Sequence, residues 1–376
     1  MKNALTVAGF GIFFGYSVAS HGESSVTLYG VIDESIQYVH NTGGHSNQIG
    51  LQSSQMSTSR WGIRGSEDLG GGTSAVFDLE SQFDVNNGAL PGDGQLFGRA
   101  AYVGLSRSDL GTLTFGRQFD VLQDIVVPVQ GNNVLEFFST PGDVDLSDGV
   151  IKINNAIKWL SPNWAGLQVG AMYAFGNVAG SVGSGQSYAA ALSYTSGPVT
   201  MAAGYLHADN GNGTNQTRGM TTASGIFYSP VNAAYVSASG YNIARVGATY
   251  TRGSVTVGGY YSYAEYLSDG FSRFRNSERY NNVSVFSYWQ ATPAFSAEVG
   301  YNYLKSHGDS SAAYQQVTMT LDYMLGKRTD LYAVAGYGHA SGENGSGPAQ
   351  AVIADTWPAA GSKDQELVIL GIRHRF

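Results

Sequence analysis

The strongest constraint on the fold is a period-2 alternation of apolar and polar side chains, which recurs in blocks of about ten residues. In the block at 316–323 the apolar face holds Val317, Met319, Leu321 and Tyr323. Because successive side chains of a β-strand point to opposite faces, each block predicts a strand with one apolar and one polar face. Many such strands are typical of a sheet with lipid on one side and water on the other.

The connections between these blocks fall into two groups by length. Seven are short and turn-like, and eight are long and polar; the long ones lie at 41–54, 84–96, 121–150, 176–185, 209–241, 267–277, 305–312 and 340–364. Short and long connections alternate along the chain, which predicts sixteen antiparallel strands in an even-numbered barrel. A soluble β-sandwich also has alternating strands, but nothing in that fold requires its loops to separate by length.

The N-terminus predicts export from the cytoplasm. Lys2 precedes an apolar stretch at 4–18, and small residues follow it. This is the layout of a cleaved signal peptide, which we predict at 1–22. Cleavage after Ala19 or Ser20, or an amphipathic helix in place of a signal peptide, are the alternatives.

No apolar run after the signal peptide reaches about 18 residues, the length that a membrane helix needs. A chain of this kind can span a bilayer only as a closed barrel, because every backbone polar group must be paired inside the membrane. We therefore expect residues 23–376 to form one all-β domain, a transmembrane antiparallel β-barrel.

Composition excludes several other classes of protein. The chain has no cysteine, which rules out disulfides and thiolate metal sites, and its seven histidines show no ligand spacing. We expect neither a metal nor a cofactor. A net charge of −8 argues against a nucleic-acid partner, which would require a basic face.

Aromatic residues stand where the strands would meet the two membrane surfaces. Amphipathic rings favour the depth of the lipid headgroups, so these residues predict two aromatic girdles. The predicted girdle residues are Trp61, Phe115, Trp159, Tyr173, Tyr194, Tyr250, Tyr288, Trp289 and Tyr323.

Several motifs resemble the trimeric general porins of Gram-negative bacteria, in particular their β-proteobacterial branch. The motifs lie near both ends of the chain, at 24–33 (SSVTLYGVID), 59–70 (SRWGIRGSEDLG), 97–105 (FGRAAYVGL), 111–118 (GTLTFGRQ) and 371–376 (GIRHRF). The resemblance implies a homotrimer in the Gram-negative outer membrane, in contact with its lipids and lipopolysaccharide. It also implies that the terminal Phe376 is the signal read by the barrel-assembly machinery.

In this family the third loop folds inward and narrows the pore, and here the matching loop is 121–150. The resemblance implies basic wall residues at Arg60, Arg99 and Lys152, facing an acidic pole at Glu136. The loop departs from the family pattern, because the proline before Glu136 and a following glycine pair are missing.

Alternation gives an independent orientation for some of these charges. If Trp61 and Ile63 face lipid, Arg60 and Arg64 face the lumen; if Ile151, Ile153, Ile157 and Trp159 face outward, Lys152 and Lys158 face inward. A charge on the lipid face costs about 2–4 kcal/mol near the midplane, which favours the lumen for all of them. Alternation does not orient Arg99, and for Arg99 and Arg117 a place at the barrel rim is the alternative to the constriction. Asp124, Asp143, Asp145 and Asp148 are further acidic candidates that could share or replace the role of Glu136.

The predicted function is passive diffusion of small hydrophilic solutes and ions through a water-filled channel, without enzymatic activity. A substrate-specific channel, and a surface adhesin or receptor that acts through 209–241 and 340–364, are the alternatives on the same barrel. The loop 209–241 matches no family motif. The balance of lumen charge leaves open whether anions or cations are preferred.

Overall fold

The computed structural model describes residues 24–91, 94–133, 137–214, 216–354 and 359–376. The predicted signal peptide at 1–22 lies outside the described residues. No helix in the described ranges has the length and apolar character to cross a bilayer.

One closed antiparallel sheet accounts for most of the chain, and the expected sixteen-stranded barrel is confirmed. The sheet contains seventeen strand segments, of which two pair with successive parts of the first strand and together form β2. The strands are β1 Ser25–Thr42, β2 His45–Ser53 with Arg60–Gly70, β3 Thr73–Gln82, β4 Ala100–Arg107, β5 Gly111–Gln118, β6 Ile153–Leu160, β7 Leu167–Ala174, β8 Ser187–Ser196, β9 Val199–Asp209, β10 Gly240–Arg252, β11 Val255–Tyr266, β12 Glu278–Thr292, β13 Phe295–His307, β14 Ala313–Met324, β15 Thr329–Ser341 and β16 Asp364–Arg375. The barrel closes where β16 pairs with β1, from Val31↔Arg375 to His40↔Glu366.

The long connections gather at one end of the barrel, and we call them L2 (83–99), L3 (119–152), L4 (175–186), L5 (210–239), L6 (267–277), L7 (308–312) and L8 (342–363). L3 contains the only α-helix of the described residues, α1 Val121–Ile125. Asp120 caps this helix, because its carboxylate accepts a hydrogen bond from the backbone N–H of Leu122 at 2.7 Å. The remaining helical turns are 3₁₀ turns: Val127–Val129, Gly131–Asn133 and Pro141–Asp143 in L3, and Thr222–Tyr228 and Ala233–Tyr235 in L5.

The predicted first loop at 41–54 is wrong. Most of it is the outer half of β2, joined to β1 by a two-residue turn at Gly43 and Gly44. Both glycines have positive φ, 59° and 81°, which is the backbone that tight hairpin turns require. The break in β2 instead lies at 54–59, inside the barrel.

Side chains divide between the two faces as the alternation predicts. Outward positions such as Ile49, Val103 and Leu370 are exposed, as expected for a surface in lipid. The prediction that Tyr288 belongs to an aromatic girdle is wrong. Tyr288 packs against a buried cluster inside the barrel that includes Val39 and Phe137. Tyr288 and Trp289 are neighbours in β12, so only one of them can face outward.

Loops fill much of the barrel interior. α1 contacts β7, β8 and β9, and the later turns of L3 contact strands from β9 to β14. L5 places Ile226, Phe227 and Tyr235 in the same buried cluster as α1. L8 contributes Ile353 and Ala354 to the cluster around Phe137. The expectation of an inward-folded third loop is confirmed, and parts of L5 and L8 also lie inside the barrel.

Candidate functional site

An open cavity of about 450 Å³ remains between L3 and one side of the barrel. On the barrel side it is lined by Arg60 of β2, Gln82 of β3, Arg99 at the end of L2, and Lys152 just before β6. We call this side the open wall. The opposite side of the cavity belongs to the part of L3 before residue 149, which contributes Phe119, Gln123, Val127, Asn132, Ser147 and Asp148. The structure thus brings together Arg60, Arg99 and Lys152, the three cations that the family resemblance placed at a constriction.

Two of these cations share one carboxylate that the sequence analysis did not single out. Glu80 lies on the inner face of β3, where its two oxygens contact Arg60 Nε at 3.2 Å and Arg99 Nε at 2.6 Å. The hydroxyl of Tyr29 donates to the same carboxylate and to Asp78. The signal for Glu80 was present, because Asp78, Glu80 and Gln82 occupy alternate positions of one strand. Glu80 holds the two guanidinium groups at fixed positions and offsets part of their charge.

Phe119 connects the open wall to L3. Its ring centroid lies 5.3 Å from Arg99 Cζ and 5.0 Å from Lys152 Nζ, distances at which cations are attracted to an aromatic face. Lys152 also donates to the backbone oxygen of Val150 at 3.2 Å. The aromatic ring keeps both cations next to the loop without neutralising either of them.

Arg64 lies on the same face of β2 as Arg60, as alternation predicts, and opposite Asp78 in the ladder. Its guanidinium carbon is 4.7 Å from the ring centroid of Tyr29. Arg64 is not among the described residues that line the cavity. It lies further along the barrel, towards the short turns.

Lys158 and Asp124, predicted on opposite sides of the constriction, are paired with each other. Lys158 Nζ is 2.7 Å from the Asp124 carboxylate and donates to the backbone oxygen of Phe119 at 3.0 Å. Burial raises the pKa of Asp124, and the ammonium of Lys158 acts in the opposite direction. Lys158 faces inward as predicted, but its contacts attach α1 and the start of L3 to β6.

The other acidic candidates have different outcomes. Asp143 is fully buried within L3, where its carboxylate accepts from the backbone N–H of Asp148 at 2.9 Å and from the Ser147 hydroxyl at 3.3 Å. These bonds shape the loop, and Asp148 is the carboxylate of L3 that lines the cavity. Glu136 lies outside the described residues.

Arg117, predicted at the constriction or at the barrel rim, is not among the described residues that line the cavity. In the ladder it pairs with Ala101, on the face that Val103 exposes to the outside. Its guanidinium donates to Gly98 O at 2.7 Å, to Lys152 O at 3.1 Å and to Asn154 Oδ1 at 2.6 Å. Arg117 therefore braces the ends of L2 and L3 from the outer face.

The predicted outward orientation of Ile151 and Ile153 is also wrong, since both are buried inside the barrel. β6 begins only at Ile153, and Asn155 has a φ of 55°, so alternation cannot be extended backwards across this irregular start. Lys152 reaches the cavity because residues 150–152 still belong to L3, outside the pleat of the strand.

The break in β2 adds an element that the sequence did not reveal. Asp33 on β1 accepts from the backbone N–H groups of Met56 and Ser57, at 3.1 and 2.8 Å. Arg373 on β16 donates to the Ser57 hydroxyl at 2.8 Å. These bonds hold segment 54–59 inside the barrel, where Ser57 and Thr58 complete the lining of the cavity next to Arg60.

The far side of L3 is attached to the inner surface of β7 to β14, which we call the covered wall. Phe138 is 2 % exposed; it packs edge-on against Phe286, with ring centroids 5.8 Å apart, and over Gly300, where any Cβ would collide with its ring. Tyr266 donates to Val144 O at 2.7 Å. These contacts fix the course of L3 across the inside of the barrel.

L5 covers the outer part of the same wall. Tyr241, Tyr266, Tyr280 and Tyr314 point inward and are buried beneath it. Tyr280 donates to Val231 O of L5 at 2.9 Å. The covered wall therefore carries tyrosines, small polar groups and a few charges that are buried beneath the loops, such as Arg245 and Glu278, whereas the charges of the open wall line a cavity.

Phe376 closes the sheet. Its backbone exchanges two hydrogen bonds with Gly30, at 3.1 and 3.0 Å, and its ring occupies the space that a side chain at position 30 would need.

Among the described residues no group of three or more His, Asp or Glu is arranged to hold a metal ion.

The chain is similar in sequence to known porins. The model of a Gram-negative porin family matches residues 4–343. An outer membrane porin of Bordetella pertussis is 31% identical over 254 residues, which cover 59% of this chain and 63% of that protein. The match thus spans slightly less than two thirds of that relative.

Solved structures of porins share the fold. The anion-selective porin from Comamonas acidovorans superposes with a TM-score of 0.74 at 24% identity, covering 94% of this chain and 100% of that one. The trimer form of OmpT, an outer membrane protein of Vibrio cholerae, superposes with a TM-score of 0.66 at 16% identity, covering 94% and 100%.

Proposed function

Because the chain belongs to the Gram-negative porin family, we propose that it forms a water-filled channel in the outer membrane for passive diffusion of small hydrophilic solutes and ions. The observation that carries this proposal is the cavity of about 450 Å³ between L3 and the open wall. Its lining is polar and charged, which favours hydrated solutes over apolar ones.

The charges of the cavity act across the direction of permeation. Arg60, Arg99 and Lys152 stand on one side, and Asp148 faces them from L3. Such an arrangement sets up a transverse field that orients dipolar solutes. These three cations outnumber Asp148 of the described lining and Glu80, which pairs with Arg60 and Arg99, so we propose a modest preference for anions.

The test is the single-channel conductance in a planar bilayer, with the reversal potential under a salt gradient. We expect stepwise, ohmic conductance from the native chain, and a shift of the reversal potential towards cation selectivity in Arg60→Glu/Lys152→Glu. Arg252→Glu/Lys327→Glu is the matched control, because it makes the same change of net charge at exposed short turns. A folded oligomer without conductance contradicts the channel, while conductance with equal shifts in both variants removes Arg60 and Lys152 from the constriction.

We propose a homotrimer, supported by one feature of the outer surface. Glu34 lies on the outer face of β1, beside Ile36, Leu51 and Leu370 in an otherwise apolar groove. A carboxylate in a band of this kind is better placed against protein than against lipid tails. Electrophoresis of heated and unheated samples tests this: an SDS-resistant oligomer is expected, and a monomer in both lanes contradicts it.

The remaining proposals concern export and assembly. We propose that residues 1–22 are removed as a signal peptide. The mass of the mature protein, which gives the position of its N-terminus, tests this proposal. We propose that Phe376 is read by the barrel-assembly machinery, so that Phe376→Ala lowers the yield of folded protein in the outer membrane, where lipopolysaccharide surrounds the barrel. The adhesin alternative gains no support from L5, which buries Ile226, Phe227 and Tyr235 inside the barrel.

A further inference from the structure

A second cavity, of about 330 Å³, lies beside the first at the outer ends of β6 to β9. We call it the side pocket. It is enclosed by the end of L3, by both ends of L4 (Phe175, Gly176 and Gly185) and by L5, and it is separate from the open cavity. Val150 and Lys152 line the open cavity, whereas Ile151 and Ile153 line the side pocket, so the segment 150–153 is a wall shared by both.

L4 and L5 pack closely against each other at the side pocket, and the glycine positions of L4 leave no space for a larger residue. Gly185 has a φ of 74°, and a Cβ at that position would lie 2.6 Å from the amide nitrogen of Gln216. Gly176 approaches Ser184 so closely that no side chain fits there either. The glycine-rich stretch of L4 thus lets Gln216 of L5 pack directly against the loop and close the pocket.

Two polar atoms at the side pocket have no protein partner. Tyr241 is fully buried, and its hydroxyl makes no hydrogen bond to any described residue. Gln216 Oε1 is buried and lacks a partner in the described part of the chain as well. Both residues line the pocket. Buried polar groups are rarely left unsatisfied in native proteins, so these two atoms point to a bound molecule that supplies donors and acceptors.

The lining restricts the chemistry of that molecule. Amide and hydroxyl side chains predominate, including Asn155, Thr217 and Ser187, and the described residues of the lining include no lysine or arginine. The one carboxylate, Asp209, is already engaged by His207 Nε2 at 3.1 Å. An anion would therefore find no counter-charge here. A neutral molecule rich in hydroxyl groups matches the lining, and Ile151 and Ile153 offer an apolar surface for its C–H groups.

We propose that the side pocket binds a neutral polyhydroxylated solute of about one sugar ring, with Tyr241 and Gln216 as its hydrogen-bonding partners. The volume lies at the lower end of the roughly 300–1,000 Å³ found for small-molecule sites. The site goes beyond the proposed diffusion channel, since binding here does not depend on permeation. Occupancy would also fix the shared wall that carries Lys152.

The experiment is saturation-transfer difference NMR of the full chain, folded in detergent, with glucose as the probe and inorganic phosphate and choline as charged comparisons. We expect saturable binding of glucose alone. Tyr241→Phe and Gln216→Met each remove one polar group while preserving packing, and should weaken binding about three- to tenfold, the effect of one neutral hydrogen bond. Thr217→Trp, at an exposed lining position, should abolish binding by occupying the pocket.

Tyr314→Phe is the matched control, because Tyr314 is a buried tyrosine of the same cluster that does not line the side pocket. Heat-modifiable electrophoresis verifies that every variant is folded. The proposal is overturned if glucose gives no saturable signal, if phosphate or choline binds in its place, or if Tyr241→Phe has no larger effect than Tyr314→Phe. Because conductance is not the readout, these outcomes are independent of whether the barrel conducts.

Discussion

The open wall and the covered wall are built from the same kind of strand, yet their inner faces carry different chemistry. On the open wall the inward positions hold Arg60, Arg64, Asp78 and Glu80. On the covered wall the corresponding positions hold buried tyrosines and small polar groups such as Ser262, and the charged side chains there, such as Arg245 and Glu278, are buried and bonded to the loops. The difference follows from what lies opposite. Charges remain hydrated next to the cavity, whereas groups under L3 and L5 must be paired with protein or be apolar.

Four predictions test this comparison, from the largest expected effect to the smallest. The first detaches L3 from the covered wall through Phe138→Ala. Loss of a buried phenylalanine costs about 3–5 kcal/mol of the free energy of unfolding, and release of the loop should widen the pore. The measurements are chemical denaturation and single-channel conductance. Phe271→Ala, at an exposed position of L6, is the control and should change neither. Unaltered conductance in folded Phe138→Ala would mean that L3 does not limit the pore.

The second prediction separates a structural cation from those of the open wall. Lys158→Met leaves Asp124, whose side chain is 32% exposed, without its partner and removes the hydrogen bond to Phe119 O, which together should cost about 1–2 kcal/mol of unfolding free energy, because water can still reach the carboxylate. Lys158→Met/Asp124→Leu should recover most of that loss, because no unpaired charge remains. Thermal denaturation followed by circular dichroism measures both variants. Equal stability of the single and double variants would show that the pair at 2.7 Å does not anchor L3.

The third prediction concerns the cover that L5 places over the tyrosines. Tyr280→Phe removes the bond of 2.9 Å to Val231 O and should cost about 1 kcal/mol, with faster hydrogen exchange across L5. Tyr241→Phe is the control for this substitution. Because the Tyr241 hydroxyl has no hydrogen-bond partner among the described residues, its removal should leave hydrogen exchange of L5 unchanged. The same exchange rates in both variants would contradict a cover held by Tyr280.

The fourth and smallest effect is a pH dependence of L5. Arg218 of L5 pairs with Asp269 of L6. Burial raises the pKa of Asp269, but the hydrogen bonds from Arg218 and from the Phe271 backbone outweigh it and lower the pKa below its ordinary value. The ion pair therefore contributes its full stabilisation of L5 at any pH above the ordinary aspartate pKa of about 3.9. This contribution is lost as the pH falls through the lower pKa of Asp269 in the folded protein.

Hydrogen exchange of L5 as a function of pH measures this loss. Protection should decline only at acid pH in the native chain, and should be pH-independent over that range in Asp269→Asn. A native profile that matches the Asp269→Asn profile would show that the ion pair does not hold L5 to L6.

The orientation of charged side chains was predictable where strands are regular. Arg60, Arg64 and Lys158 face inward as the alternation of β2 and β6 requires. Arg117 lies on the outer face together with Phe115, as alternation along β5 requires, whereas Ile151 failed because it precedes its strand. Pairing was not predictable at all. Lys158 and Asp124 are 34 positions apart in sequence, and only the inward course of L3 brings them together.

The sequence by itself determined the barrel. Alternation and loop length are local properties of the chain, and together they set sixteen strands, the two faces of each and the end at which the long loops gather. Only the tertiary structure decided which inner face stays open. That choice depends on contacts between distant residues, such as Phe138 over Gly300, Asp33 with Ser57 and Tyr280 with L5. A side chain's direction is fixed by its own backbone, but its partner is fixed by the path of the rest of the chain.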